Sequence, residues 1–230
     1  MSKTENQSRK IFEQKVIWGD FFPSLPGNYY YMFFKNYCWK VKLKVGKIIR
    51  KFVAEDGRNI IFRTPKWEDL DDFVDLINSL VDEKADIYVT EKVTRAEEAK
   101  WLQEVIAHLE RDEDFFLVAE IEKKAVALAE FKIKGGDNEH PVGAIGIIVK
   151  KDYRNLGIGT EILKTLLEQA VFFGLQKMTI NVFATNKRAI HVYKKVGFIE
   201  TGIIPERHFR QGKIIDEIIL TIKLPKLNQS

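Results

Sequence analysis

Ala144-Ile145-Gly146-Ile147-Ile148-Val149-Lys150-Lys151-Asp152-Tyr153-Arg154-Asn155-Leu156-Gly157-Ile158-Gly159-Thr160 is the stretch on which the reading of the fold turns. Gly143 to Val149 is a largely apolar run of strand length. Leu156 to Phe173 follows as an amphipathic helix, with Gly174 placed to close it beyond the C-cap. The turn between them, Arg154-Asn155-Leu156-Gly157-Ile158-Gly159, carries glycines that let main-chain amides approach an anion at the positive end of the helix. A diphosphate suits such a cradle, although a Gly-x-Gly turn can also be no more than a tight strand-to-helix connection. A dinucleotide fingerprint would need a third glycine where Ile162 stands, and no Gly-Lys-Ser/Thr follows to make a Walker loop.

Downstream, Met178 to Phe183 reads as a strand, Asn186 to Val196 as a helix stopped by Gly197, and Ile214 to Leu224 as a final strand. Upstream, Phe115 to Glu120 and Ala125 to Lys132 read as strands joined by a short turn at Glu122-Lys123-Lys124. Two helices precede them. One starts near Thr64-Pro65, with Thr64 as expected N-cap, and carries Leu70, Phe73, Val74, Ile77 and Leu80. The other follows Thr94 and carries Ala99, Leu102, Val105, Ile106 and Leu109. Asn59 to Arg63 is the strand that opens this alternating portion.

About 30 residues beyond the Gly-rich turn stands Asn186-Lys187-Arg188-Ala189-Ile190-His191-Val192-Tyr193-Lys194-Lys195-Val196-Gly197-Phe198. The two segments together resemble the GNAT N-acetyltransferase superfamily. Arg154 to Gly159 matches its Arg/Gln-x-x-Gly-x-Gly/Ala signature, and Asn186, Ala189, Tyr193 and Gly197-Phe198 match its second coenzyme-binding segment. The resemblance covers about residues 59–224. It implies an α/β fold with a mixed, splayed central sheet flanked by helices, acetyl-coenzyme A as cosubstrate, and a primary amine as acceptor: a protein α-amino group or lysine, a polyamine and a free amino acid are all compatible, and the acidic loop residues Asp82, Glu83 and Asp86 suggest a cationic one. It also implies that pantetheine meets the main chain of Ile147, Ile148 and Val149, and that the pyrophosphate meets Arg154, Asn155, Leu156, Gly157, Ile158, Gly159 and Thr160. Asn186 and Ala189 fall on the coenzyme and Tyr193 at its thiol end. A strand amide near Ile148 would stabilise the oxyanion, and Tyr193, a phenol, could protonate the departing thiolate.

Many members of that family carry a carboxylate on the strand before the Gly-rich turn, to take the amine's proton. Ala144, Ile145 and Gly146 occupy those positions here. Glu130, Glu83, Glu91 and His140 are the substitutes, each also readable as a solvated surface group. Glu130 is preferred because Ala127, Ala129 and Phe131 alternate with it on a neighbouring strand. A water chain with an acceptor of low pKa would need no base at all. The same gap keeps a second reading open, a coenzyme-binding regulatory or nucleic-acid-associated module with little turnover. Tyr193 is equally readable as a ring packed on the sheet, and Asn186 as an N-cap.

The remaining sequence divides as an extension, residues 1–58, and an acetyltransferase domain, residues 59–230. The chain of 230 residues carries 37 Lys/Arg against 33 Asp/Glu, and residues 1–60 hold 12 of the former against 5 of the latter, so the basic excess lies in the extension. Ten aromatics fall between Trp18 and Trp39, followed by an alternating strand pattern from Trp39 to Val45. Lys40, Lys42, Lys44, Lys47, Arg50 and Lys51 among such rings fit a nucleic-acid surface. Ring density favours instead a β-rich element packed on the domain or on a second subunit, and a homodimer is compatible with this. The one cysteine, Cys38, rules out an intrachain disulfide, and no pair of the four histidines has metal-ligand spacing, so no metal is expected. With no apolar run of spanning length near the start, a cytoplasmic protein is expected.

Overall fold

The computed structural model describes residues 44–54, 56–134 and 141–225. Residues 1–43 of the expected extension, with Cys38 and most of the pattern from Trp39 to Val45, lie outside the described residues, as does His140. The described elements run β1 (Ile48–Val53), β2 (Asn59–Arg63), α1 (Leu70–Asp82), α2 (Arg95–Glu110), β3 (Asp114–Ile121), β4 (Lys124–Lys134), β5 (Val142–Val149), α3 (Ile158–Phe172), β6 (Lys177–Phe183), α4 (Lys187–Val196), β7 (Ile199–Arg210) and β8 (Lys213–Lys223). Residues 48–53, grouped by sequence with the extension, are thus the first strand of the sheet, paired with β2.

One eight-stranded sheet holds them in the order β1-β2-β3-β4-β5-β6-β8-β7. Only β5 and β6 run parallel, joined by the crossover through α3. β3 explains the layering: Phe115, Leu117 and Ala119 turn to one core with Leu163 and Leu166 of α3, while Phe116 and Val118 turn to another with Phe73 and Leu76 of α1 and Leu102 of α2. A strand covered on both faces reads as a continuous apolar run, as Phe115 to Ala119 does. The β3–β4 connection needs only Glu122 and Lys123, both at positive φ, the geometry whose twist matches a two-residue hairpin.

Three local expectations are corrected. Thr64 is not the cap of the first helix: it is fully buried, and its Oγ1 accepts from the Lys47 amide at 2.8 Å and donates to the Lys44 carbonyl at 2.6 Å. The chain instead passes through a 3-10 turn, Trp67–Asp69, because the buried Arg63 guanidinium needs the buried Asp69 carboxylate, which it meets through two bonds of 2.7 and 2.6 Å. On α1 it is Leu76, not Ile77, that faces the core, and Ile77 is only half-buried. Finally, β7 had no sequence signal. It is an edge strand with two register shifts and Pro205 inside it, and its burial does not alternate cleanly.

Candidate active site

The parallel pair β5–β6 is joined only from Val142/Lys177 to Ile145/Ile180. Beyond that point β5 continues to Val149 paired with β4 alone, and β6 continues to Phe183 paired with β8 alone. The two strands therefore part, and a cavity of about 490 Å³ opens there, with Gly146, Ile147 and Ile148 on one side and Asn181, Val182 and Phe183 on the other. Ile147, Ile148 and Val149 are half-buried, and their main chain loses a neighbouring strand. An extended ligand with amide groups could take that strand's place.

After β5 the chain makes a 3-10 turn, Lys151–Tyr153, and enters the Gly-rich loop. Asn155 and Gly157 both have left-handed backbone, at φ 61° and 76°, and Gly157 is the N-cap of α3. The first intrahelical bond recorded across this cap is from the Glu161 amide to the Gly157 carbonyl, at 3.1 Å. The amides of Ile158, Gly159 and Thr160 precede it and have no intrahelical acceptor. Ile158 buries its side chain in the core and Leu156 packs against it, so what these two offer the loop is main chain. Gly159 is instructive: a Cβ there would meet nothing within 4 Å beyond its chain neighbours and the backbone of its own helix. Nothing internal requires that glycine, and the space it leaves lies beside the positive end of the helix, where a pyrophosphate would sit.

The Arg154 side chain is used within the protein. Its Nε donates to the Val149 carbonyl at 2.9 Å, and its guanidinium grips both oxygens of Glu83. This clamp ties the end of α1 to the end of β5, and it occupies Glu83 as a candidate base. Asn186 caps α4, its Oδ1 accepting from the Ala189 amide at 3.1 Å, and it also lines the cavity. Tyr193 projects from α4 into the same cavity, 7% exposed, with no hydrogen bond to its hydroxyl among the described residues. Burial pushes its phenol above the ordinary value, and the nearby Arg188 charge pulls back only in part. The hydroxyl therefore keeps its proton at neutral pH.

Glu130 on β4 stands opposite Gly146 in the β4–β5 ladder and lines the cavity. A Cβ at Gly146 would sit 3.4 Å from Glu130 Oε1, an ordinary contact, so the carboxylate lies directly beside this residue. Burial raises the Glu130 carboxyl above its usual range, and the Lys132 ammonium, 3.7 Å away, lowers it only partly. Glu91 is exposed on its loop.

The acetyltransferase (GNAT) family model matches residues 75–198, which span this whole arrangement. The chain belongs to the GNAT acetyltransferase family. An uncharacterized N-acetyltransferase of Methanocaldococcus jannaschii is 29% identical over 170 residues, covering 73% of this chain and 69% of that one. The structure of a putative phosphinothricin N-acetyltransferase is 25% identical and superimposes with a TM-score of 0.64 over 73% of this chain and 99% of its own. A putative acetyltransferase of Salmonella typhimurium, solved with acetyl-CoA, shares the fold at 19% identity and a TM-score of 0.64, over 74% of this chain and 96% of its own. This GNAT acetyltransferase is accordingly an acyltransferase that uses acetyl-CoA as cosubstrate. The parted strands and the open cradle fit that donor.

The acetyltransferase also carries site residues that sequence reading passed over. Tyr88, from the loop after α1, lines the cavity and donates to Glu217 of β8 at 2.5 Å. Asn181 Nδ2 donates to the other oxygen of Glu217 at 3.1 Å, and His208 Nε2 of β7 lies 3.2 Å from the first. Burial alone would raise the Glu217 carboxyl, but these partners outweigh it and hold it below the usual range. The Phe183 and His208 rings lie 4.3 Å apart beside this network, tilted by 36°. Glu98 of α2 also lines the cavity, together with Asp86, one of the acidic loop residues already noted in the sequence. Among the described residues no cluster could hold a metal ion, and no helix is long and apolar enough to cross a membrane.

Proposed function

We propose that this N-acetyltransferase moves the acetyl group of acetyl-CoA onto a primary amine by direct attack, with Glu130 as proton acceptor and Tyr193 as proton donor. The Ile147–Val149 main chain and the amides of the Gly157–Thr160 turn hold the donor. The attacking amine arrives as an ammonium ion and loses one proton to Glu130, directly or through water. Its nitrogen lone pair forms the new C–N bond as the C–S bond breaks. Tyr193 gives its proton to the departing sulfur, so that coenzyme A leaves as a thiol; the nitrogen, positive once the C–N bond has formed, gives up its second proton to the Tyr193 phenolate through water, and Glu130 releases the first to solvent.

The observation that carries this reading is that Glu130 and Tyr193 face one cavity where β5 and β6 part. The carboxylate missing from Ala144-Ile145-Gly146 has a counterpart one strand over, paired with Gly146 in the ladder. That placement favours turnover over a coenzyme-binding module. A thiol-release assay over a panel of primary amines tests it. Turnover with at least one amine is expected; silence with all of them, while acetyl-CoA still raises the melting temperature, would leave the module as the better account.

A further inference from the structure

The cavity at the strand opening extends toward α1 and α2, and the charge of its lining is one-sided. Asp86, Glu97, Glu98 and Glu130 line it, and no Lys, Arg or His does so among the described residues. An acidic lining alone would be a solvated mouth. Two of the four are already used: Asp86 accepts from the Thr185 hydroxyl at 3.0 Å, and Glu97 closes the capping box with Thr94.

Glu98 is different. It is only 6% exposed, its carboxyl has no hydrogen-bond or ion-pair partner among the described residues, and yet no buried side-chain oxygen is sealed off from the surface without a partner. Glu98 lines the cavity. Burial raises its carboxyl, with no opposing charge to bring it back. The cavity it lines is otherwise largely aliphatic and aromatic, with Trp101 one turn along the same helix, Ile77 from α1 and Val93 also in its wall. An unpaired carboxylate among aliphatic and aromatic walls is costly unless a cation meets it. Walls of that kind suit methylene groups, and the missing lining cation leaves nothing to receive a carboxylate on the acceptor.

We propose that Glu98 recognises a second ammonium group on the acceptor, so that the substrate is an aliphatic diamine or polyamine with one amine presented to Glu130 and Tyr193 and a distal one held by Glu98. This rests on the acetyl transfer proposed above. It makes Glu98 a specificity residue and Glu130 the proton acceptor.

Three probes of nearly equal length separate the charges: putrescine, n-butylamine with no second charge, and γ-aminobutyrate with a carboxylate in its place. With the full chain and saturating acetyl-CoA, putrescine should exceed n-butylamine by about tenfold or more in kcat/KM, mostly through KM, and γ-aminobutyrate should be the poorest. In Glu98→Gln the putrescine to n-butylamine ratio should collapse toward one, and Glu98→Asp should keep part of it. Glu98→Gln should melt no lower than wild type, because an unpaired buried charge has been removed. The wild-type panel needs no variant and decides the substrate class even if a substitution fails to fold. Turnover of all three amines at similar kcat/KM overturns the diamine proposal and leaves acetyl transfer standing. Silence with every primary amine overturns both. A putrescine preference that survives in Glu98→Gln overturns the assignment to Glu98.

Discussion

The two sides of the cavity are built on different principles. The side proposed to hold the donor is main chain: the end of β5 that β6 no longer covers, the left-handed Asn155 and Gly157, and the first amides of α3, all within residues 146–160. The side proposed to receive the acceptor is side chain: Tyr88 from a loop, Glu98 from α2, Glu130 from β4 and Asn181 from β6, with Glu217 and His208 behind them. A site made of backbone must place its glycines at fixed spacing in one contiguous run, whereas a site made of side chains can draw each from a different element. The first constrains sequence locally and tolerates many apolar side chains. The second leaves the sequence unmarked, and that is where specificity can vary without disturbing coenzyme binding.

The largest effects should come from groups that act only during the reaction. Tyr193→Phe removes the proposed proton donor while keeping the ring in the core, so kcat should fall by about a hundredfold or more, with the acetyl-CoA-induced rise in melting temperature kept. Equal turnover in this variant would return Tyr193 to a packing role. Glu130→Gln should lower kcat/KM by about tenfold to a hundredfold. A base works only when ionised, and burial has raised the Glu130 carboxyl, so wild-type activity should fall away on the acid side at a higher pH than an ordinary glutamate would give. A pH profile of the Gln variant should lack that limb. A limb unchanged in the variant would mean that another group takes the proton.

What could be read from sequence follows the same division. Arg154 to Gly159 and Asn186 to Gly197 carried the family, and the apolar runs at Phe115, Ala125 and Gly143 carried the sheet, because packing and backbone geometry write themselves as period and glycine. Thr64 misled because a Thr-Pro pair before acidic residues resembles a cap, whereas a tertiary demand, the buried Arg63, claimed Asp69 and delayed the helix. β7 was invisible because an edge strand is half solvated and tolerates Pro205. Glu130 was legible through strand alternation. Tyr88, Glu98 and Glu217 were not, because nothing within a few residues of any of them shows that 129 positions separate Tyr88 from its partner Glu217.

Gly159→Val tests the donor side of the contrast. Its side chain would enter space no protein atom occupies, and valine is no worse than glycine inside a helix, so stability should be equal or slightly higher. The KM for acetyl-CoA should nevertheless rise by about tenfold, because the branch fills the place of a phosphate. The KM for the amine should hardly move. A variant that altered the amine KM instead would erase the distinction between the two sides.

The smallest effect belongs to the network behind the acceptor side. Tyr88→Phe removes one of the donors that keep Glu217 ionised, and because Tyr88 is itself 61% exposed the loss should be modest, about 0.5 kcal/mol. The sign of its pH dependence is fixed by Glu217. A carboxyl held below its unfolded value contributes stability above the unfolded pKa and loses it as pH falls through the folded one. The gap between wild type and Tyr88→Phe should therefore be full at neutral pH and close as the solution is taken below about pH 4. Chemical denaturation at both pH values measures it. Because Tyr88 also lines the cavity, the KM for the amine should rise about threefold while that for acetyl-CoA stays put. A gap that persisted in acid would detach Tyr88 from Glu217, and the acceptor side would then owe its shape to the ring contacts of Tyr88 with Phe183 and His208.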